Sequence, residues 1–346
     1  MRLGINVAYK PWFGLTEQLE LAVLSDRLGI DTVWVAESYG QDASVVLAAV
    51  AARTERVSLG SAVLQIPARQ PTTTAMTAST LDQVSGGRFI LGLGVSGPQV
   101  SEGWYGVAFT SPLGRTREYI DIVRSAWERK PVDHRGKHWS IPLVEGGAGL
   151  GKPIKMVGRP VQERIPIYLG VGGPKAVEQA GEIADGWLPF LFNPRDSEEQ
   201  TAALHRGIAK AGRARGDISV TPVVPCAVHE DIGVARAQLR PILAMYLGGM
   251  GSKDKNFYVE VADRYGHGVS ARACQESFLR GDLPGAQAAL TDAVVDTFTI
   301  AATPKSLEDR LREFEDAGID ELAIVPFGDR PALIEMLATR FCKVAA

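Results

Sequence analysis

Short apolar segments that read as β-strands alternate with amphipathic helical segments along the chain, and this alternation constrains the fold more than any other feature. In the first unit, Arg2–Val7 is strand-like, and apolar residues then recur at helical spacing from Leu19 to Leu28. Thr16 is predicted to cap this helix and Gly29 to end it. Such a pattern predicts parallel strands joined by helical crossovers.

Eight strands are predicted, each followed by a turn and a helical stretch. They are Arg2–Val7, Thr32–Glu37, Val57–Val63, Phe89–Val95, Ile165–Gly170, Gly186–Leu191, Val220–Val228 and Glu321–Pro326. Their near-continuous apolar character is typical of parallel strands buried on both faces. The length of 346 residues therefore predicts a single α/β domain over residues 1–346, a (β/α)8 TIM barrel with insertions.

Two stretches depart from the repeating unit. Residues 131–163 contain four prolines and the glycine-rich run Gly146–Gly151, which excludes a long helix and predicts a lid-like insertion over one barrel face. Residues 250–292 are helical but interrupted by glycine and proline, so they are predicted to form a second covering insertion. Neither stretch is expected to fold independently.

The composition of the chain limits which classes of partner it can bind and which cellular compartment is expected. The net charge is only −3 and no basic run is present, so neither nucleic acid nor an anionic membrane is expected as a partner. The scattered cysteines Cys226, Cys274 and Cys342 do not suggest a disulfide framework. With no signal-peptide pattern and no apolar run near the ~20 residues that cross a bilayer, we expect a cytosolic protein.

The active site of a barrel lies at the C-terminal ends of its strands, and the turn after the fifth predicted strand is the most informative. Glycines there lead into a predicted helix with proline in its first turn. Their bare amides, together with the positive end of the helix dipole, suit a phosphate. A tight turn that needs glycine only for packing is the alternative. The candidate residues are Gly170, Val171, Gly172, Gly173 and Lys175.

A second glycine-rich stretch, Gly92–Gly97, lies within and after the fourth predicted strand. It does not open a βαβ unit, so it is not a dinucleotide-binding fingerprint. Its backbone could pass beneath a planar ring system, or the glycines could mark a bulge or barrel corner. The candidate binding residues are Gly94, Val95, Ser96, Gly97, Pro98, Gln99 and Val100.

Polar residues after the second and fourth predicted strands are the catalytic candidates. Glu37 ends an apolar strand, where a carboxylate must have partners or a raised pKa, so acid–base chemistry and a structural salt bridge are both open. Ser38 and Tyr39 could bind a substrate or close their loop. Trp104 and Tyr105 could form a wall of the pocket or simply pack in the covering segment.

No metal or nucleophile motif is recognisable. His134 and His138 are four residues apart, but Gly136 between them makes a helical ligand pair unfavourable. A solvated loop is the preferred interpretation. With no ligand motif, no metal site is predicted. Motifs of α/β-hydrolases and P-loop enzymes are also missing, so neither enzyme class is expected.

Four motifs together resemble the luciferase-like flavin and deazaflavin oxidoreductases, specifically their actinobacterial branch that uses coenzyme F420. The resemblance covers most of the chain. It rests on the segments 33–37 (VWVAE), 81–89 (LDQVSGGRF), 92–106 (GLGVSGPQV followed by EGWYG) and 182–189 (EIADGWLP).

The resemblance implies a deazaflavin ring across the strand C-termini, next to a non-proline cis peptide at Ala62–Val63. It also implies that backbone amides at Val171, Gly172, Gly173 and Lys175 hold the coenzyme phosphate. F420 is therefore the expected cofactor, with FMN as the alternative. A homodimer is expected from the resemblance alone.

Departures from the family pattern bear on the reaction. Sugar-phosphate dehydrogenases of the family have an Asp-His pair where this chain has Glu37 and Ser38, and a catalytic glutamate where it has Gly97. Oxidation of an alcohol needs a base, so reduction is favoured. The expected reaction is hydride transfer to an activated C=C or C=N in secondary metabolism, as in an enone, imine or dehydroamino acid. Tyr39, Glu37, Tyr105 or water would supply the proton.

Two rival functions remain open from the sequence. An FMN-dependent monooxygenase could use the same barrel and would consume oxygen. A non-catalytic cofactor-binding protein would account for the missing acid–base residues. In each case the partner is a small molecule or a modified peptide.

Overall fold

The computed structural model describes residues 1–342, and eight parallel strands within that range form a barrel. They are β1 (Arg2–Val7), β2 (Thr32–Val35), β3 (Ser58–Ser61), β4 (Phe89–Gly94), β5 (Ile167–Leu169), β6 (Gly186–Trp187), β7 (Ser219–Val220 and Val223–Val228) and β8 (Glu321–Pro326). Each strand pairs with the next, and β8 pairs with β1. The predicted TIM barrel is confirmed.

The boundaries of β1 and β8 match the prediction, whereas the other strands are shorter. β7 is divided at Pro222, which has no N–H to donate to a ladder. Its first segment pairs with β6 and its second with β8, so the bend at Pro222 closes the barrel. A short strand at Ile300–Ala302, missed from the sequence, adds to the second segment of β7.

Helices surround the barrel. They are α1 (Leu15–Leu28), α2 (Ala43–Ala51), α3 (Pro71–Val84), α4 (Pro98–Gly103), α5 (Pro112–Trp127), α6 (Pro174–Ile183), α7 (Glu198–Lys210), α8 (Ile232–Ala244), α9 (Phe257–Arg264), α10 (Gly268–Leu279), α11 (Leu283–Ala288), α12 (Asp292–Phe298), α13 (Leu307–Asp316) and α14 (Arg330–Phe341). Single-turn 3₁₀ segments occur at Ile66–Ala68, Pro194–Asp196 and Arg215–Asp217, and a π-helical turn at Met245–Gly249. No helix in residues 1–342 has the length and hydropathy to cross a membrane.

The predicted cap of the first helix is wrong at one end. Helix α1 begins at Leu15 with Gly14 as its N-cap, because the Glu17 carboxylate accepts the Gly14 N–H at 3.4 Å. Thr16 therefore lies inside the first turn. Gly29 does end the helix, with φ of 78°, a left-handed conformation that glycine adopts without a steric penalty.

Large side chains fill the barrel interior and dictate small residues on the facing strands. Trp34 is fully buried, and a Cβ on Gly60 would lie 2.2 Å from its ring. Tyr168 requires Gly186 in the same way, at 2.4 Å. The interior is therefore a packed core.

Glu321 is a buried carboxylate at the start of β8, with 1% of its surface exposed. It accepts hydrogen bonds from the Trp34 indole at 2.7 Å and the Thr32 hydroxyl at 3.3 Å, and lies 3.2 Å from Arg2. Burial nevertheless raises its pKa, because desolvation outweighs the attraction of Arg2. This charge belongs to the barrel core rather than to the functional end.

Residues 131–163 pack against the outside of α5. Their short strands pair as Pro131–Val132 with Ile154–Lys155 and His134–Arg135 with Ser140–Ile141. The Glu118 carboxylate on α5 accepts three backbone N–H groups of this segment, each at 2.9 Å. None of residues 131–163 lines the large cavity at the barrel mouth. We therefore correct the lid interpretation: the segment covers a flank of the barrel, because Glu118 fixes it there.

Residues 250–292 contain α9, α10 and α11 and lie over the C-terminal end of the barrel. Met250, Phe257, Tyr258 and Val261 from this segment line the cavity. Asn256 fixes the start of α9 by accepting the Tyr258 N–H at 2.9 Å. This segment therefore forms one side of the functional site.

Candidate active site

A cavity of about 720 Å³ opens at the C-terminal ends of the barrel strands. Residues at or just beyond the ends of β1 to β6 contribute to its wall, as do residues of β7 and β8. The predicted site residues that line it are Glu37, Ser38, Tyr39, Ala62, Val63, Gly94, Val95, Ser96, Gly97, Gln99, Val100, Gly170, Val171, Gly172 and Gly173. Pro98, Tyr105 and the side chain of Lys175 do not reach the wall.

The Ala62–Val63 peptide bond after β3 is cis, as the resemblance predicts. The Val63 side chain packs between the ends of β4 and β5. A Cβ on Gly94 would lie 2.5 Å from Val63 Cγ2, and one on Gly170 would lie 2.9 Å from Val63 Cγ1. These two glycines are therefore required by packing, and together they leave a surface without side chains beside Val63.

The glycines around the end of β4 differ in whether the packing of the chain requires a glycine. A Cβ on Gly92 would lie 1.8 Å from the Ser61 carbonyl oxygen, so close strand approach requires glycine there. At Gly97 the nearest atom would be 3.5 Å away and φ is −120°, so the chain itself does not require glycine. Ser96 lies in the left-handed region with φ of 60° and hydrogen-bonds the Gln65 side chain at 2.9 Å.

The turn after β5 has the features of an anion site. A Cβ on Gly173 would meet no atom within 4 Å, and one on Gly172 would only touch Val261 at 3.7 Å. Gly173 is the N-cap of α6 and brings no side-chain cap. Within residues 1–342, no acceptor is found for the N–H groups of Val171, Gly172, Gly173 and Lys175. A phosphate fits these bare amides and the helix N-terminus.

Two residues that the sequence did not reveal hold this turn in place. The Trp187 indole donates a 2.8 Å hydrogen bond to the Val171 carbonyl, and Arg264 of α9 donates one of 3.1 Å to the Gly172 carbonyl. Because both carbonyls are bound from outside, the amides are free to face the cavity. Trp187 belongs to a motif that the sequence showed, whereas nothing local to Arg264 places it here.

Glu37 is engaged in a salt bridge, one of the two interpretations left open by the sequence. Its carboxylate accepts two hydrogen bonds from Arg69, at 2.7 and 2.8 Å, and the backbone N–H groups of Gln65 and Ala43 at 3.0 and 3.2 Å. Arg69 also lies 3.0 Å from Asp42. The Glu37 side chain is 3% exposed. Four hydrogen bonds therefore tie the Glu37 carboxylate to Arg69 and to two backbone amides.

Tyr105 lies behind the cavity wall rather than in it. Its hydroxyl accepts a 3.2 Å hydrogen bond from the Gln65 amide, which in turn contacts Ser96. Burial and the nearby Glu37 charge raise the pKa of Tyr105. Tyr105 therefore contacts Gln65 and is not among the residues that line the cavity.

Tyr39 and Trp104 stand at the cavity mouth. They are 53% and 64% exposed, and their rings are 6.4 Å apart. Ser38 is nearly buried and forms an isolated bridge with Gln41. The loop is therefore closed by its own contacts, and because it also lines the cavity, substrate binding by Ser38 and Tyr39 stays a prediction.

A cluster of aromatic residues forms the wall beside Ser38. The Tyr9 and Tyr246 hydroxyls are 3.4 Å apart, and the Phe190 and Tyr246 rings are 4.3 Å apart. Burial raises the pKa values of Tyr9, Tyr246 and Tyr258, so these hydroxyls stay protonated. Sequence reasoning missed this cluster because its members come from three distant parts of the chain, just after β1, just after β6, and in the 245–258 region.

The chain shows similarity to known proteins over most of its length. A family model for luciferase-like monooxygenases matches residues 1–321. This chain belongs to the luciferase-like monooxygenase family. The family prediction is thereby confirmed.

Relatives within the luciferase-like family are named for F420. A Mycobacterium tuberculosis protein named as a coenzyme F420-dependent oxidoreductase is 42% identical over 330 residues, 94% of each chain. The 5,10-methylenetetrahydromethanopterin reductase of Archaeoglobus fulgidus is 30% identical over 323 residues, 91% of each. The solved structure of the F420-dependent tetrahydromethanopterin reductase of Methanopyrus kandleri matches with a TM-score of 0.81 and 26% identity, covering 98% of this chain and 99% of that one.

Few charged residues line the large cavity. Glu37, Glu260 and Arg264 are the charged residues that line it within residues 1–342, and Glu37 is neutralised by Arg69. Arg264 lies at the phosphate-type turn, where it donates to the Gly172 carbonyl. In the same range, no group of three or more His, Cys, Asp or Glu residues could hold a metal.

Proposed function

We propose that the protein is an F420-dependent oxidoreductase that acts as a reductase. The observation that carries the proposal is the turn after β5, where glycines without a packing role expose unpaired amides at a helix N-terminus. The surface of Val63, Gly94 and Gly170 offers a bare platform for a planar ring. When bound, reduced F420 supplies a hydride. The names of the relatives support this coenzyme.

The direction of the reaction is inferred from the side chains available in the cavity wall. The Glu37 carboxylate is engaged by Arg69 and by two backbone amides of the protein, and Gly97 has no side chain to act as a base. The Tyr9 and Tyr246 hydroxyls are protonated and face the cavity. They can donate a proton or a hydrogen bond to an acceptor that gains electrons. We therefore favour reduction of an activated C=C or C=N.

The residues that line the cavity favour an acceptor substrate that is largely apolar. Aromatic side chains form much of the cavity wall, and within residues 1–342 no lysine lines it. A sugar phosphate would need a second cationic or amide-rich site there. An enone, imine or dehydroamino acid of a small molecule or modified peptide suits this wall better, and a role in secondary metabolism stays a proposal.

Coenzyme titration tests the proposal. We expect the purified protein to bind F420 saturably, followed by coenzyme fluorescence, and to bind FMN at least about tenfold more weakly. Preference for FMN, with oxygen uptake that depends on an acceptor, would support the monooxygenase instead. Tight F420 binding without turnover of any enone, imine or dehydroamino acid would favour the non-catalytic alternative.

We further propose a homodimer. Exposed apolar residues occur on α2, α3 and the 131–163 segment, including Val45, Met76 and Val157, which are 67%, 58% and 91% exposed. Helix α3 contacts both other elements, so these residues share one side of the barrel. Large apolar patches are typical of interfaces. Light scattering should show a dimer for the native chain and for Val269→Glu on α10, but a monomer for Met76→Glu. If the native chain and both variants were all dimers, the interface would have to lie elsewhere.

A reducing, cytosolic location also stays a proposal. Cys226 and Cys274 are buried free thiols, and Cys342 is free as well. Free thiols persist in reducing compartments. Fractionation of the producing cell, with a cytosolic marker enzyme, tests this location.

A further inference from the structure

A second cavity, of about 180 Å³, lies beside the large one. We name it the side cavity. The two cavities share four wall residues, Val95, Phe109, Pro112 and Thr116. The side cavity is formed by the first turn of α5, the segment after β3 and Trp139 of the 131–163 segment. A ligand in the large cavity could therefore extend a substituent toward it.

Two residues that line the side cavity each carry a buried hydrogen-bond donor without a partner. The Nε atom of Arg115 and the Nε1 atom of Trp139 are inaccessible to solvent and have no acceptor. No hydrogen bond or ion pair of the Arg115 side chain is found within residues 1–342. Buried donors without partners are rare in native proteins, and each is expected to serve a missing ligand or water.

The charge of Arg115 is also unfavourably placed for stability alone. It lies in the first turn of α5, where the positive end of the helix dipole repels a cation. Arg69, the other cation in the wall, is already paired with Glu37 and Asp42. Among the described residues 1–342, no aspartate or glutamate lines the side cavity. An anion bound there would accept hydrogen bonds from the unpaired donors and would offset the repulsion between Arg115 and the helix dipole.

The chemistry of these donors points to a carboxylate. Arginine and the tryptophan indole can only donate hydrogen bonds, and a carboxylate supplies two acceptor oxygens and a negative charge. The side cavity has room for a carboxylate and a few carbon atoms, given about 30 Å³ per water-sized volume. We propose that the side cavity binds a carboxylate of the acceptor substrate through Arg115 and Trp139. This assignment to the acceptor rests on the proposed reductase function.

Binding of benzoate and stability together test the side cavity. Benzoate should raise the melting temperature of the native protein saturably, and its neutral analogue benzamide should not. Arg115→Met should melt at a higher temperature than the native protein without ligand, because it removes an unpaired cation. It should bind benzoate at least about tenfold more weakly. Arg53→Met, which removes an exposed arginine on α2's C-terminal side, should change neither property.

Two results would overturn the proposal. Equal benzoate affinity in native protein and Arg115→Met would show that the side cavity does not bind it. A fall of several degrees in the melting temperature of Arg115→Met would show that Arg115 serves the fold.

F420 titration separates the two sources of a carboxylate, since the coenzyme carries carboxylates of its own. Unchanged F420 affinity in Arg115→Met supports the acceptor. Weaker binding of intact F420, but not of the deazaflavin fragment that ends at the ribityl chain, would overturn the acceptor assignment. If the native protein binds benzoate but not F420, the reductase proposal fails while the side-cavity site stands.

Discussion

Gly173→Asp is expected to weaken F420 binding at least about a hundredfold without loss of stability. The φ and ψ angles of Gly173 are −79° and 143°, and a Cβ there meets no atom within 4 Å. Aspartate is a favourable N-cap, so α6 should gain a few tenths of a kcal/mol. The new carboxylate would occupy the amides proposed to hold the phosphate. Juxtaposed like charges cost several kcal/mol, and about 3 kcal/mol corresponds to about a hundredfold.

Gly173→Asn is the matched control for this variant. Asparagine caps the helix equally well but carries no charge, so we expect it to weaken F420 binding less than about tenfold. Coenzyme fluorescence measures the affinities and thermal unfolding measures the stabilities. If Gly173→Asp bound F420 within about threefold of the native protein, the phosphate would have to lie elsewhere.

Arg69→Met is expected to destabilise the protein by about 3–5 kcal/mol, because it leaves the Glu37 carboxylate buried without its cation. The Gln65 backbone is bound to the same carboxylate at 3.0 Å, and its side chain contacts Ser96 and Tyr105. The loss should therefore also disturb the cavity wall. Urea unfolding at neutral pH measures the change in the free energy of unfolding.

The double variant Glu37→Gln/Arg69→Met should recover most of this loss, since neither member then leaves a buried charge. Arg117→Met serves as the control, because Arg117 pairs with Glu182 but is 43% exposed, and such pairs contribute about 0–1 kcal/mol. A loss below about 1 kcal/mol for Arg69→Met would mean that Glu37 does not depend on this salt bridge. Glu37 would then return as a candidate proton donor.

Agreement between sequence and structure is best where local pattern decides the outcome. The strands Arg2–Val7 and Glu321–Pro326 were predicted to the residue, because each is a short, mostly apolar segment that begins at a charged residue. Gly29 ended its helix as predicted. The first helix nevertheless begins at Leu15, since Glu17 reaches back to Gly14, a contact that the search for a Ser or Thr cap overlooked.

The glycines of the site show what a motif leaves undecided. Gly92, Gly94 and Gly173 look alike in the sequence, yet Gly92 accommodates a carbonyl, Gly94 accommodates Val63, and Gly173 faces open space. Only the packing of β3 against β4 and β5 separates these causes. The same holds for Glu37, whose partner Arg69 is 32 residues away in the chain.

The order of apolar and polar residues by itself determined the barrel, its eight strands and the ends at which the site lies, because strand and helix periodicity are local properties. Tertiary structure alone decided which side chains meet there. It brought Tyr9 to Tyr246 across 237 positions, placed Arg264 against Gly172, and moved residues 131–163 to the flank. Contacts between distant segments depend on how crossovers pack and on where buried charges find partners, and no periodicity encodes either.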